Sequence, residues 1–364
     1  MARIPASKRN EVAAFIMSEL SFGETPDAAR NAARLFGMSK AAVNELLQEM
    51  ERRGFIRSAG NSRQRFHIMA GTKVDDFFPL KHADEDRIWT EHVLPHLSGL
   101  RDNVLRIASY VVTEMVNNAI DHSASDQMRL TLILAQGSVT ITIVDFGVGI
   151  FPKIKEAFGL ESNIDAVHQL VKGKLTTDQQ RHTGEGIFFS SRMVNSFFLH
   201  SAELCYGRVP GRDVVLTKDF ARKAQGTAVQ IGIRMDSTMS AAEVFNQHSD
   251  FDQENTFTTT EFPLSLFKIG GEQLVSRSQA KRVVHRLDLF RKAILDFQGV
   301  AWIGPSFADE VFRVFAQAHP GVELQVKNAN DAVATMIRRA RSQSVESRLD
   351  LPEDDAGGKP HLEA

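Results

Sequence analysis

The sequence predicts a multidomain α/β protein, and three observations carry that expectation. The first is length: 364 residues exceed what one hydrophobic core organises, since single cores stop growing near roughly 250 to 300 residues. The second is pattern, because apolar spacing runs from helical, through mixed strands and helices, to a regular strand and helix alternation. The third is composition, 43% apolar and 24% charged, which suits ordinary globular cores and excludes wholesale disorder.

Charge and cysteine content narrow the chemistry. A formal charge of −2 rules out a chain that coats polyanions as a whole, so any basic surface must be local. Cys205 is the single cysteine; it cannot form an internal disulfide, and no Cys/His pairing has zinc spacing. The start of the sequence lacks the apolar run of a signal peptide, and no run of 18 uninterrupted apolar residues occurs. The expectation is a cytoplasmic protein without a membrane partner.

Residues 1–72 read as three helices and a hairpin. Val12, Phe15, Ile16 and Leu20 keep helical spacing, as do Val43, Leu46, Leu47 and Met50. Thr25-Pro26 suits an N-cap and first helical position, Gly37-Met38-Ser39 a turn into the third helix, and Gly54 its stop. Two strands follow, from Phe55 and from Arg63 to Met69, about a turn at Ala59-Gly60-Asn61. This order resembles a winged helix-turn-helix domain, with residues 39–53 as recognition helix and 56–68 as wing. Up to residue 70 there are 11 Lys and Arg against 7 Asp and Glu. That surplus favours phosphate contact and hence DNA, while a protein-binding winged helix is the alternative.

Residues 75–236 hold the densest signal. Val104, Ala108, Val111, Val112, Met115 and Ala119 form the apolar stripe of a long helix, and Glu114, Asn118 and Asp121 share another of its faces. Strands are expected at Gln127–Leu134 and Val139–Val144, the second running into Asp145-Phe146-Gly147-Val148-Gly149-Ile150. The polar stretch from Phe151 to His182 reads as a lid. Thr183-Gly184-Glu185-Gly186 then opens an apolar helix, and strands are expected at Val214–Thr217 and Gly226–Ile233.

Taken in that order, the Glu/Asn helix, Asp-x-Gly-x-Gly, glycine-bearing lid end and Gly-Thr strand resemble the GHKL (Bergerat) α/β sandwich, the histidine kinase-like ATP-binding fold. The resemblance covers about residues 85–235 and implies ATP and magnesium. An adenine amino group requires an acceptor that cannot donate, which an ionised Asp145 supplies. Gly147 and Gly149 let the backbone turn and approach a ligand closely, with Ile150 beside them. The resemblance places Thr227 beside adenine, makes Asn118 the magnesium ligand through its amide oxygen, and counts Asp121 with the nucleotide residues. It gives Glu114 the role of base toward the attacking water or hydroxyl, the alternative being a charge on a wet face. Thr183, Gly184 and Gly186 would offer backbone N–H groups to phosphates. Glu185 departs from the family pattern, where an apolar residue is commoner, and His122 reads as structural.

Residues 255–342 alternate strand (Leu264 to Ile269), helix (Arg277 to Phe290), strand (Ala293 to Phe297), helix (Ser306 to Ala318), strand (Val322 to Val326) and helix (Ala329 to Ala340). Ser276 with Gln279, and Ser306 with Asp309, fit capping boxes. The segment around Ala293–Glu310 resembles a STAS-like domain of unknown function found fused to ATP-binding modules. That resemblance implies a protein partner or a homodimer through this domain, and makes Ser306 a candidate phosphoacceptor; its other reading is the helix N-cap. Residues 343–364, with 2 Lys and Arg against 6 Asp and Glu, read as a disordered acidic tail.

Two functions are expected from these parts. One is a nucleotide-switched bacterial regulator in which the ATPase domain controls a DNA-binding winged helix and a STAS-like domain. The alternative is an enzyme, either a serine/threonine protein kinase acting on a STAS domain or an ATPase whose winged helix binds protein.

Overall fold

The computed structural model describes residues 6–21, 28–61, 64–135, 137–175, 184–209, 212–217, 224–250, 256–268 and 273–349. They fall into two compact units, Met1–Thr259 and Thr260–Ala364. In the first unit, apolar residues at helical spacing build α1 (Ala6–Ser21), α2 (Ala28–Leu35) and α3 (Lys40–Arg52) around one core that includes Phe15, Ile16, Leu46 and Leu47. Ser39 caps α3 by accepting the N–H of Ala42, and Gly54, at φ +70°, ends it. The expected Thr25-Pro26 helix start lies outside the described residues.

Strands β1 (Ile56–Asn61) and β2 (Gln64–Met69) form the expected hairpin, but Ala59, Gly60 and Asn61 are paired rather than turning. The register brings Asn61 opposite Gln64, so the strand claims the residues whose composition suggested a turn. β3 (Thr72–Pro79) was not expected. It is an edge strand in which Val74 and Phe78 alone are buried, and Lys73, Asp75 and Asp76 give it no period-two signal. α4 (Glu85–Arg87) and the helical turns through residue 96 lead to α5 (Asp102–His122), which buries the full predicted stripe from Val104 to Ala119.

β4 (Gln127–Ala135) and β5 (Ser138–Asp145) follow as predicted. The Phe151–His182 stretch is not one long lid: it holds α6 (Ile150–Ala157) and α7 (Asn163–Leu170), while residues 176–183 lie outside the description. Phe151 and Ile154 are buried on α6, and Ala166, Val167 and Leu170 on α7. Each helix is about two turns long, too short for its apolar stripe to stand out in polar surroundings. Ser162 and Asp165 close a capping box on α7.

Next come α8 (Gly186–Met193), β6 (Ser196–Ala202), β7 (Leu204–Val209), β8 (Arg212–Thr217) and β9 (Ala224–Arg234). They complete a seven-stranded antiparallel sheet in the order β3-β4-β5-β9-β6-β7-β8. β6 escaped prediction because it is buried on both faces from Phe197 to Ser201 and shows no alternation; its partner β7 is likewise buried from Leu204 to Gly207. α5 packs across β5 and β9. α9 (Ala241–His248), β10 (Ser249–Asp250) and β11 (Thr256–Phe257) close the unit against α8. Ring centroids of Phe257 lie 4.5 Å from Phe188 and 5.1 Å from Phe189, and those of Phe245 and Phe189 are 4.6 Å apart.

The second unit is built on a three-stranded sheet, β12 (Thr259–Pro263), β13 (Lys292–Asp296) and β14 (Glu323–Lys327), with β13 and β14 parallel. Its first strand precedes the expected one, and Leu264–Phe267 is a 3-10 turn. α10 (Arg277–Val284) starts at the predicted Ser276–Gln279 capping box but stops early, before Arg286 at φ +65°. The next helix is continuous through α11 (Pro305–Asp309), a π-helical stretch Glu310–Phe315 and α12 (Ala316–Ala318). Its N-cap is Gly304, followed by Pro305, not Ser306. Asp309 is taken up by Arg313 and Arg277 instead of a capping box. α13 (Asp331–Leu349) is capped by Asn330, which accepts the N–H of Val333. The helix runs past Gln343, where disorder was expected to begin; residues 350–364 lie outside the described residues.

Candidate functional site

Burying one stripe of α5 against the sheet leaves a second face directed along the sheet surface. Glu114 and Asn118, one turn apart and both half-buried, stand on that face. They line a cleft of about 270 Å³ together with His122, Asp145, Gly149, Ile150, Lys153, Gly184, Gly186 and Thr227. Ile143, Leu199 and Val229 from the sheet, with Leu170, Leu175 and Phe188, form apolar walls.

Asp145 ends β5 and is 6% exposed. Its Oδ1 accepts the backbone N–H groups of Gly147 (3.0 Å) and Thr227 (3.2 Å). The Thr227 hydroxyl in turn accepts the N–H of Ile150 at 2.9 Å. Carboxylate, β9 and the loop after β5 are thereby locked to one another. Burial pushes the Asp145 carboxyl above the usual carboxylate range, against the opposing pull of the Gly147 and Thr227 hydrogen bonds.

The glycines of this loop have separate reasons. At Gly147 a Cβ would overlap the Ser123 carbonyl at the end of α5. Gly147 therefore packs against the helix end and, unlike Gly149, does not line the cleft. Gly149 has φ +81°, and a Cβ there would stand 2.6 Å from Ser201 Oγ. Gly226, at φ +86°, leaves no room for a Cβ beside the Asp145 carbonyl.

The opposite wall is the start of α8. A Cβ on Gly186 would collide with the Glu114 carboxylate, so the glycine leaves that flexible side chain its present place between α5 and α8. Burial, and next the Glu114 and Glu185 carboxylates, push the Tyr110 phenol up, which marks this end of the cleft as negative. A carboxylate beside a helix N-terminus is favourable, so Glu114 suits that place. Gly184 lines the cleft at φ +71°, and Thr183 lies outside the described residues.

Two expectations about α5 change. Asp121 is exposed and does not line the cleft, whereas His122, read as structural, does. Positions seven residues apart on a straight helix drift off a shared face, and the cleft lies on the His122 side. Lys153 was missed altogether. It reaches the cleft from α6, donates to the His122 carbonyl at 2.8 Å and sits 3.5 Å from His122 Nδ1. Its signal was one helical turn of spacing from Ile150 to Lys153, visible only once 150–157 is recognised as a helix.

A hard cation has few protein ligands here. Among the described residues no group of three His, Cys, Asp or Glu side chains could hold a metal. Among the described residues no helix is long and apolar enough to cross a membrane.

Comparison with known families agrees with this geometry. Residues 80–218 match the family model of the histidine kinase-like ATPase domain, and residues 279–334 that of a STAS-like domain of unknown function. No curated protein matches the chain. Histidine kinase-like ATPase domains bind nucleotide and Mg²⁺ in general. The chain thus carries a histidine kinase-like ATPase domain over residues 80–218, followed by a STAS-like domain over residues 279–334.

Proposed function

We propose that the chain is a nucleotide-switched regulator: Mg²⁺-ATP occupies the cleft beside α5 and biases a DNA-binding winged helix and the STAS-like domain. The observation that carries this reading is the Asp145 clamp. Both backbone N–H groups fall on Oδ1 and the Thr227 side chain also bonds the carboxylate; Oδ2, which receives neither backbone N–H, is the acceptor this reading gives to an adenine amino group. Thr227 and Ile150 steady that end, and Gly149 keeps it open. Asn118 presents an amide oxygen to magnesium, Lys153 supplies positive charge toward phosphates beside His122, and Gly184 and Gly186 lead the backbone past them. Glu114 stands where a base would meet water or a hydroxyl. Bound magnesium would neutralise phosphate charge and orient the terminal group.

For the DNA reading, the support is local charge on a three-helix and hairpin unit. Lys40, Arg52, Arg53 and Arg57 are all exposed around α3 and β1. Calorimetry on the full chain with Mg²⁺-ATP tests the cleft, and a mobility shift with and without a non-hydrolysable ATP analogue tests the switch. Loss of ATP binding in Asp145→Ala is expected, as is a nucleotide-dependent change in DNA affinity. ATP binding that is indifferent to Asp145 would overturn the first claim; negligible DNA affinity at low salt would overturn the second.

One observation favours a second reading, a protein kinase acting on a STAS domain. Ser306 is exposed and is not the helix N-cap, so its capping explanation is gone. Incubation with γ-labelled ATP separates the readings. Stable label on Ser306 supports a kinase, and free phosphate supports an ATPase.

A further inference from the structure

Three helices of the C-terminal unit each direct an arginine into one concavity. Arg277 comes from the first position of α10, Arg313 from the helix that starts at Pro305, and Arg339 from α13. The groove has a volume of about 460 Å³, and its remaining lining is Pro305, Ser306, Ala308, Asp309, Met336 and Ala340. Three arginines thus share the lining with one carboxylate, Asp309. Asp309 accepts from Arg313 through both of its oxygens and lies 3.5 Å from Arg277. Arg277 also approaches Glu310 at 3.8 Å. Those arginines hold the Asp309 carboxyl below the usual range, Arg313 foremost. Arg339 is exposed and has no ion-pair partner among the described residues.

We propose that this groove is a binding site for the phosphate monoester of a small molecule. Planar guanidinium groups pair with a phosphate's oxygens in a fork geometry that a single lysine charge does not reproduce. The lining carries three arginines against Asp309, with Glu310 also beside Arg277; this cationic excess suits a phosphate anion, and the Ser306 hydroxyl adds a donor. Pro305, Ala308, Met336 and Ala340 give an apolar floor beside the charges, and the volume exceeds that of a phosphate alone, so the ester's organic part has a place to lie. Asp309 is the internal competitor: it holds Arg313 in position in the free state and yields part of that pairing when the phosphate arrives. The site lies wholly within the STAS-like domain and does not depend on the reading of the nucleotide cleft.

Calorimetry on the full chain at constant ionic strength, with inorganic phosphate and with phenyl phosphate as probes, tests the site. Saturable binding is expected, tighter for phenyl phosphate. Arg339→Gln, an exposed substitution, should weaken it about tenfold, the worth of one charge-assisted hydrogen bond. Asp309→Asn should strengthen it several-fold by removing the competing charge, with thermal unfolding as the check that the variant is folded. Binding elsewhere in the chain responds to neither substitution. Absence of saturable binding, or binding that Arg339→Gln and Asp309→Asn leave unmoved, would overturn the proposal and reduce the arginines to an ion-pair lattice.

Discussion

Replacing Asp145 by Asn separates the binding role of the carboxylate from its structural role. The amide carbonyl can still accept the N–H groups of Gly147 and Thr227, which both fall on Oδ1. The change comes at the second position, where an NH₂ donor replaces an acceptor and meets the adenine amino donor. Losing one hydrogen bond to a charged, buried acceptor costs about 1.5–3 kcal/mol, or roughly 10- to 100-fold in affinity. Stability should move the other way. Burial raises the folded-state pKa of Asp145 above the unfolded value, so ionisation favours the unfolded chain. That penalty sets in as pH rises from the unfolded pKa and is complete above the folded one. The neutral amide escapes it, and Asp145→Asn should melt no lower than wild type at neutral pH. Asp145→Ala instead strands two N–H groups and should be destabilised by about 1–3 kcal/mol or more. Calorimetry with Mg²⁺-ATP and thermal unfolding read both quantities. Wild-type ATP affinity in Asp145→Asn would refute the assignment of the acceptor; equal destabilisation by Asn and Ala would refute the account of the clamp.

Further outcomes follow from the same geometry. ATP affinity should fall as pH drops through the Asp145 pKa, because the protonated acid can no longer act as a pure acceptor; since that pKa is raised, the fall begins at a higher pH than for an ordinary carboxylate, as titration calorimetry across the acid range would read. Gly226→Ala forces a side chain into φ +86° against the Asp145 carbonyl and should cost about 1–3 kcal/mol, measured by denaturant unfolding, with ATP binding lost in parallel. Glu114→Gln should lower ATP turnover by roughly 10²- to 10⁴-fold with affinity little changed, and single-turnover kinetics separates the two. Phe257→Ala removes a ring buried between Phe188 and Phe189 and should cost about 3–5 kcal/mol in thermal unfolding.

The parts of this molecule that could be read from sequence are those where one residue carries one unambiguous duty. The stripe from Val104 to Ala119 runs for more than four helical turns, so its period is plain, and Asp145 announces itself because glycines follow a strand. Tertiary context hid the rest. β6 is apolar on both faces; β3 carries the charges of a sheet edge; α6 and α7 are too short for a period to emerge. Lys153 enters the cleft only because α6 folds, and Asp121 leaves it because the helix rotates past the shared face by position 121. Ser306 looked like a cap because serine so often is one, yet with Pro305 as the first helical residue the cap is Gly304, two residues earlier. Thr183 lies outside the described residues, so the lid end of the cleft rests on Gly184 and Gly186.

The phenylalanines on α8 also constrain how a signal can leave the cleft. Phe188 faces both the cleft and Phe257, and Phe257 stands just before Thr260, where the second unit begins. The ring packed on Phe188 and Phe189 of α8 thus belongs to β11, a two-residue strand whose placement depends on how those three rings fit together.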